Sequence, residues 1–476
     1  MDPAGLLTDY VFLDVLHRLL PRSLAMSRCI CKAWRAVIDG HHADLLQLSL
    51  EGIFLERYDP GVTPRGRYQE HPIPVLFSRP STGREIPINI CYPPDNCTGE
   101  DFEGAILDCC NGLLLLRNDH VVNPATRQWA ELPRIPCSCL AIDHKYLVFD
   151  PAVWPHYEVF SIPEIPYYLS TLHIGKDRCN DKSISAMEWP PTPYIMNVFT
   201  SRTEEWEERS FLRPCREGKA AADCKAYRCY QGAAYCHGAP YVTVEYDFVL
   251  RLKLSTNTYQ VIELPKEKKE FDVPRLGKSE KGVYCAYRYA DHAFQIWFLD
   301  ESLGQTEWVL KSDINFAPMP WRPRKIASGP WILQVHDNME EPVLEDNSEW
   351  DPDDKNVVST EHWAEAHERG IYDFLGFHPS KEIALFAMDE RVLAYHLSTS
   401  KVRDLGEVCK GSNEIQASFM YTPCWMGPLP GQNLIPGHAN RSYERMARDA
   451  PLGRSPYHQL GLYHNYLPYT RPPNLC

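Results

Sequence analysis

Two stretches of the chain align with one another without a gap. Val122-Asn-Pro-Ala-Thr126-Arg-Gln-Trp129-Ala-Glu131-Leu132-Pro133 and Leu254-Ser-Thr-Asn-Thr258-Tyr-Gln-Val261-Ile-Glu263-Leu264-Pro265 share Thr, Gln, Glu, Leu and Pro at matching places. A shorter relative runs from Leu397 to Leu405, and a looser one from Phe298 to Leu310. Each reads as strand, turn and outer strand. A hairpin that recurs along a chain marks a repeated supersecondary unit, and such units bury their apolar faces by stacking on their neighbours. Few architectures satisfy that condition.

The segments between the repeats narrow the choice. From about residue 50 onward, short runs rich in Tyr, Trp, Phe, Val and Ile are broken by Asn, Gly, Pro and Ser-Thr turns. Examples are Gly52–Tyr58, Gly112–Arg117, Tyr194–Thr200, Phe248–Leu254, Phe294–Leu299 and Ile383–Met388. Helical segments of comparable strength do not separate them, and strands without crossover helices pair antiparallel. Units of roughly 30–45 residues with four short strands each are the sequence form of a radial β-propeller. Five such units lie near 105–133, 141–212 (enlarged by a loop around 163–190), 228–265, 277–315 and 371–408. A sixth would be composite, joining Ile415–Pro423 to the strand 52–58 and the candidates 73–79 and 86–91, and so removing exposed sheet edges. The expected fold is therefore mainly β: an antiparallel propeller over 50–430, six-bladed, closed by strands from both ends. An acidic insertion at 338–358 carries eight acids and no base between Glu340 and Asp354, read as a solvated loop, and 436–476 reads as a loosely ordered tail.

The N-terminal 45 residues follow a different period. Leu7, Val11, Val15 and Leu19 recur at i+4, with Phe12 and Leu16 widening the stripe. Pro21 stops this helix and Ser23 can cap the next, whose apolar positions are Leu24, Cys29, Ile30, Trp34, Val37 and Ile38. A helical unit this short buries little surface alone, so its apolar face needs a cover, either the propeller or another protein.

Charge and cysteine content exclude several functions. With 49 Lys and Arg against 63 Asp and Glu, the formal charge is −14, which disfavours nucleic acid and anionic membrane as partners. The 17 cysteines include no Cys-x-x-Cys pair, against a disulfide framework or a zinc knuckle. Acids at Asp2, Asp9 and Asp14, with no base before an apolar run, do not fit a secretory signal, and the longest aliphatic run is Leu113–Leu116. An intracellular protein, cytoplasmic or nuclear, is expected.

Signs of catalysis are weak. Gly277-Lys278-Ser279 lacks the upstream glycine of a phosphate loop, and His362 and His367 fall on different faces of any helix. Cys110, Cys229, Cys236 and Cys285 sit in strand-like runs, where small buried hydrophobes are the rule. Trp129, Trp206, Trp297 and Trp308 are read as blade core. No cofactor, metal or catalytic residue is assigned.

The run Leu7-Thr-Asp-Tyr-Val11-Phe-Leu-Asp-Val15-Leu16-His-Arg-Leu19-Leu-Pro21-Arg-Ser-Leu24, followed by Arg28-Cys-Ile30-Cys-Lys-Ala-Trp34-Arg-Ala-Val-Ile38, resembles an F-box. Thr8 stands at the usual proline and Leu20 precedes Pro21; the rest is in register with the family pattern. With the Val-Val-Asn-Pro-Ala-Thr-Arg-Gln-Trp segment of the β region, the chain to about residue 430 resembles plant F-box proteins carrying an F-box-associated, kelch-like propeller. That resemblance implies the substrate-recognition subunit of an SCF-type cullin ubiquitin ligase. Its F-box would bind a Skp-type adaptor, and through it a cullin, while its propeller binds a protein substrate of unknown identity. Adaptor-facing candidates by resemblance are Leu7, Val11, Val15, Leu16, Leu19, Leu24, Ile30, Trp34 and Ile38; some must also form the unit's own core. The competing expectations are an F-box scaffold without ubiquitin transfer and a propeller enzyme.

Overall fold

A strand buried on both faces reads as a nearly continuous apolar run, and Leu113–Leu116 is such a strand. Leu113 and Leu115 face one apolar core while Leu114 and Leu116 face another, all at 1% exposure or less. In the computed structural model the same alternation recurs at Ile383–Met388, where Ile383, Leu385 and Ala387 face one core and Ala384, Phe386 and Met388 the next. Sheets stacked face to face around an axis require this sandwiching. The structure describes residues 12, 15–16, 27, 30–40, 50–57, 73–79, 106–135, 142–151, 153–164, 188–214, 219–220, 232–243, 248–265, 274–290, 292–302, 306–316, 331–334, 372–388, 391–408, 415–424 and 429. The candidate strand 86–91, the acidic insertion, His362, His367, Cys229 and the tail 436–476 lie outside these residues.

Six four-stranded antiparallel sheets form the blades of a β-propeller. From the innermost strand outward, blade 1 is Ile106–Cys110, Leu113–Leu116, His120–Asn123 and Gln128–Glu131. Blade 2 is Ile142–Val148, Glu158–Glu164, Tyr194–Thr200 and Glu205–Phe211. Blade 3 runs Ala233–Cys236, Ala239–Thr243, Phe248–Lys253 and Thr258–Glu263; blade 4 Arg275–Ser279, Gly282–Ala290, Ala293–Asp300 and Glu307–Asn315; blade 5 Tyr372–Phe377, Ile383–Met388, Arg391–His396 and Val402–Glu407. A two-stranded ribbon, Glu188–Trp189 with Lys219–Ala220, accompanies blade 2.

Blade 6 is assembled from distant parts of the chain. Ile415–Tyr421 is its inner strand, paired from Gly52↔Tyr421 to Arg57↔Ile415 with Gly52–Arg57, which pairs in turn with Ile73–Ser78. Its outermost strand is Ile332–Gln334. The sequence had offered 86–91 for that place; the strand comes instead from the connection between blades 4 and 5. Trp331 explains the recruitment. It is 2% exposed, packs 5.4 Å from Phe77, and donates its backbone N–H to the Leu405 carbonyl of blade 5, pinning the connection against blade 6. Gly406 lies against the Trp331 carbonyl at φ +146, so a Cβ there would clash with backbone.

Six apolar clusters fill the six seams between neighbouring blades, for example Phe54, Leu76 and Tyr421 against Ile106, Leu114 and Val122 between blades 6 and 1. Trp129, Trp206, Trp297 and Trp308 pack half-buried against these clusters.

The repeated hairpin acquires a physical meaning here. Both copies end their outer strand at the matching glutamate, Glu131 and Glu263, and the outer-strand tryptophan of the following blade donates its indole N–H to a carbonyl at that exit. Trp206 reaches Pro133 at 2.6 Å and Trp308 reaches Glu263 at 2.9 Å. At the turn the gapless alignment drifts. Asn123 pairs with Gln128 across residues 124–127, whereas Lys253 pairs with Thr258 across 254–257, because the second hairpin is two residues longer in each arm. An increment of two preserves which face each side chain occupies, so the packing tolerates it. Between inner and second strands, Asn111-Gly112 (φ 46 and 90) and His237-Gly238 (φ 49 and 75) make two-residue turns with both residues left-handed.

Two buried carboxylates bridge the seams on either side of blade 1. Glu56 of blade 6 accepts the Ile106 backbone N–H, and Asp108 of blade 1 accepts the Leu147 N–H of blade 2 at 2.8 Å as well as that of Cys109. Burial pushes Glu56 up to about 7, against the nearby Arg117 charge, and Asp108 up to about 6. Acids raised on folding bind more protons folded than unfolded, so the stability they contribute is full at low pH. It is lost as pH rises from the ordinary carboxylate range, 4.5 for Glu56 and 3.8 for Asp108, through those folded values. Each should account for on the order of 3 kcal/mol across that window. Glu56→Gln and Asp108→Asn keep an accepting oxygen without a charge. Urea unfolding at stepped pH should therefore show both variants gaining on the parent protein as the solution becomes neutral; parallel curves would refute the assignment.

Candidate protein-interaction surfaces

Among the described residues, the two most exposed large apolar side chains are Ile30, beside the N-terminal helix, and Val153, at one end of blade 2. At the first of these surfaces, Lys32–Gly40 forms a helix whose opening is organised by Cys31: its carbonyl accepts the Arg35 N–H at 3.0 Å and its Sγ the Trp34 N–H at 3.4 Å. Ser27 accepts the Ile30 N–H in the preceding turn. Phe12, Leu16 and Ile38 are buried together, with Trp34 and Val37 packed against them and the Trp34 ring edge-on to Phe12 at 4.8 Å.

This packing divides the adaptor-facing candidates. Leu16 and Ile38 point inward, at 0% and 2% exposure, and Trp34 is half-buried. Val15 and Ile30 point outward, at 44% and 61%. Leu7, Val11, Leu19 and Leu24 lie outside the described residues. A helix stripe cannot show one face to two surroundings, which is why neighbours such as Val15 and Leu16 separate into outer and inner roles.

The second surface is built by two connections of blade 2 at the same end of its sheet. In the first, Val153 and Trp154 both donate their N–H groups to the Asp150 carbonyl, at 3.0 and 2.8 Å, closing a tight turn. Ser201, from the connection between the third and outer strands, accepts the Tyr157 N–H on its Oγ and donates its own N–H to the Tyr157 carbonyl, both at 3.0 Å. That pair of hydrogen bonds holds the two connections together. On it, Val153 is 74% and Trp154 50% exposed. The Trp154 ring lies 5.4 Å from His156, and the Arg202 guanidinium 5.9 Å from its centre. These residues carry no recognised motif; the signal that marks them in the sequence is Val153-Trp154-Pro155, a bulky apolar pair inside a turn rather than a strand.

Toward the axis, the thiols of Cys109, Cys110 and Cys236 are pushed up by burial, Cys110 to about 12, so they stay protonated and poorly nucleophilic. The inner-strand Lys278 of blade 4 lies close enough for its charge to act on both Cys110 and Cys236. His378, 1% exposed, is held neutral down to about pH 3 by desolvation, with Lys381 and His396 adding to the effect. No helix among the described residues is long and apolar enough to cross a membrane.

No protein-family profile and no curated protein matches the chain. Among solved structures, similarity is found to an auxiliary nutrient binding protein from Bacteroides thetaiotaomicron VPI-5482, at 9% identity and a TM-score of 0.29 over 68% of this chain and 63% of that one. The mitotic checkpoint complex matches at 9% identity and 0.28, over 66% and 79%. Citrobacter koseri AztD matches at 8% and 0.28, over 77% and 96%. The chain thus spans less than two thirds of the first of these. The propeller assignment rests on the strand pairing of the six sheets.

Proposed function

We propose that this chain is the non-catalytic substrate-recognition subunit of an SCF-type cullin ubiquitin ligase, working in the cytoplasm or nucleus. In this reading the N-terminal helices bind a Skp-type adaptor and the propeller binds a protein substrate. The observation that carries it is the Cys31-Lys32-Ala33-Trp34-Arg35 helix start, which resembles that of an F-box, together with the exposure of Val15 and Ile30 among the described residues. Apolar side chains grouped beside a buried aromatic are the usual anchors of a protein interface. We further propose that the pairing of Gly52–Arg57 with Ile415–Tyr421 closes the ring, leaving the propeller as a rigid platform.

Co-expression with a Skp-type adaptor and a cullin tests the role. The full chain is expected to co-purify with both as a stoichiometric complex, and its depletion from cells to stabilise at least one propeller-bound protein. Absence of adaptor binding would reject the reading. Adaptor binding with no change in the turnover of any propeller-bound protein would reject ubiquitin delivery and favour a scaffold.

A further inference from the structure

Among the exposed apolar side chains of the described propeller residues, Trp154 has an arginine guanidinium over its ring, and Val153 is its neighbour in the same turn. Ile195, Leu212, Val309 and Leu310 are also exposed, at 42–55%, but lie on strands or at a strand end. Val153 and Trp154 sit on a turn braced by the Ser201–Tyr157 bonds, so their positions are set by backbone rather than by a mobile tip. The Arg202 guanidinium at the Trp154 ring is exposed and forms no ion pair among the described residues. Stacking on an indole leaves all five N–H donors of an arginine at its rim, where a carboxylate can be received in bidentate fashion. The Lys278 side chain, which forms no hydrogen bond or ion pair among the described residues, places a second positive charge near Cys110 and Cys236 on the inner strands. Opposing these are the carboxylates of Glu204 on the same connection, of Glu205 where the outer strand begins and of Asp150 in the Val153 turn, so Arg202 at the indole is the cation on which the choice of partner turns.

We propose that Val153, Trp154 and Arg202 form the docking site for an extended acidic segment of the protein partner. An aliphatic or aromatic side chain of that segment would cover Val153 and Trp154, and a neighbouring Asp or Glu would engage Arg202. In a protein of net charge −14, most of the surface repels such a segment, so the local cation decides where it lands. The inference rests on the receptor reading for the partner's being a substrate; the surface and its chemistry stand apart from it.

Fluorescently labelled peptides of alternating Leu and Glu, with Leu-Lys and Leu-Gln counterparts, are the probe, titrated against the full chain. The Leu-Glu peptide is expected to bind most tightly, and less tightly in high salt. Trp154→Ala should weaken it about tenfold, and Arg202→Glu should weaken it similarly while improving binding of the Leu-Lys peptide. Both residues are exposed, so folding is spared; unchanged melting and adaptor binding check this. Indifference to peptide charge, unaltered affinity in both variants, or binding to anionic vesicles in place of the peptide would overturn the proposal. Adaptor capture read on the same samples separates the two claims: its absence with peptide binding intact rejects the ligase reading alone, and its presence without peptide binding rejects this site alone.

Discussion

Removing residues 411–476 is expected to unfold the whole propeller, whereas removing 436–476 should leave its melting temperature nearly unchanged. The first deletion takes away the inner strand of blade 6. Tyr421, fully buried, packs edge-on to Phe54 at 5.0 Å, and its backbone carbonyl accepts the Glu51 N–H. Ser418 donates to the Leu375 carbonyl of blade 5 and Cys109 of blade 1 donates its S–H to the Met420 carbonyl, so the strand is bonded to both neighbours. Beyond it, Cys424 and Leu429 enter the core between blades 1 and 2, where Gln128 accepts the Leu429 N–H and Asn123 donates to the Cys424 carbonyl. Deleting one buried large side chain costs about 2–5 kcal/mol, and a domain holds only about 5–15 kcal/mol in total. Losing several such residues together, with a strand ladder, exceeds that reserve. The shorter deletion touches none of these contacts. Thermal melts followed by far-ultraviolet circular dichroism decide the matter: two truncated chains that melt alike and stay soluble would show that the ring does not depend on the composite sheet.

The outer strand of that sheet shows where sequence reasoning stops. Strand existence and antiparallel pairing were legible because burial on both faces forces continuous apolar runs such as Leu113–Leu116, and because turn residues such as Asn111-Gly112 mark hairpins locally. The recruitment of Ile332–Gln334 to a blade whose other strands lie at 52–78 and 415–421 was not legible, since three residues have no periodicity and the anchor, Trp331, is specified by a cavity formed by other blades. The hairpin repeat was readable at its Glu-Leu-Pro exit, fixed by an inter-blade indole bond, but the position of its turn was not, since arm length varies in steps of two. The Val153–Trp154–Arg202 surface was invisible for a similar reason. Its parts are some 50 residues apart and meet only because blade 2 places two connections at one end.

The second large effect is expected at the N-terminal helices. Replacing Val15 and Ile30 together by Asp should abolish binding of a Skp-type adaptor and leave the melting temperature of the chain almost unchanged. Both side chains are largely exposed in the free protein, so a carboxylate at either place stays hydrated and costs little. In a complex it would be trapped against apolar adaptor surface without a partner, a penalty of several kcal/mol, or roughly a hundredfold or more in affinity for each. Leu16→Ala and Ile38→Ala should behave in the opposite way. Those side chains fill the core shared with Phe12 and Trp34, so truncation should loosen the helices by about 2–4 kcal/mol and weaken the adaptor only through that loosening. The contrast between outward and inward pairs distinguishes a lost contact from a lost fold, which Trp34→Ala alone cannot do because Trp34 is half-buried against Phe12. Calorimetric titration with purified adaptor, beside amide-exchange protection of residues 30–40, reads both quantities. If the double Asp variant binds as the parent does, the exposed face is not the adaptor site. The F-box reading, which requires an uncovered apolar face at this place, would then fall, while the peptide-docking surface on blade 2 would stand or fall by its own titration.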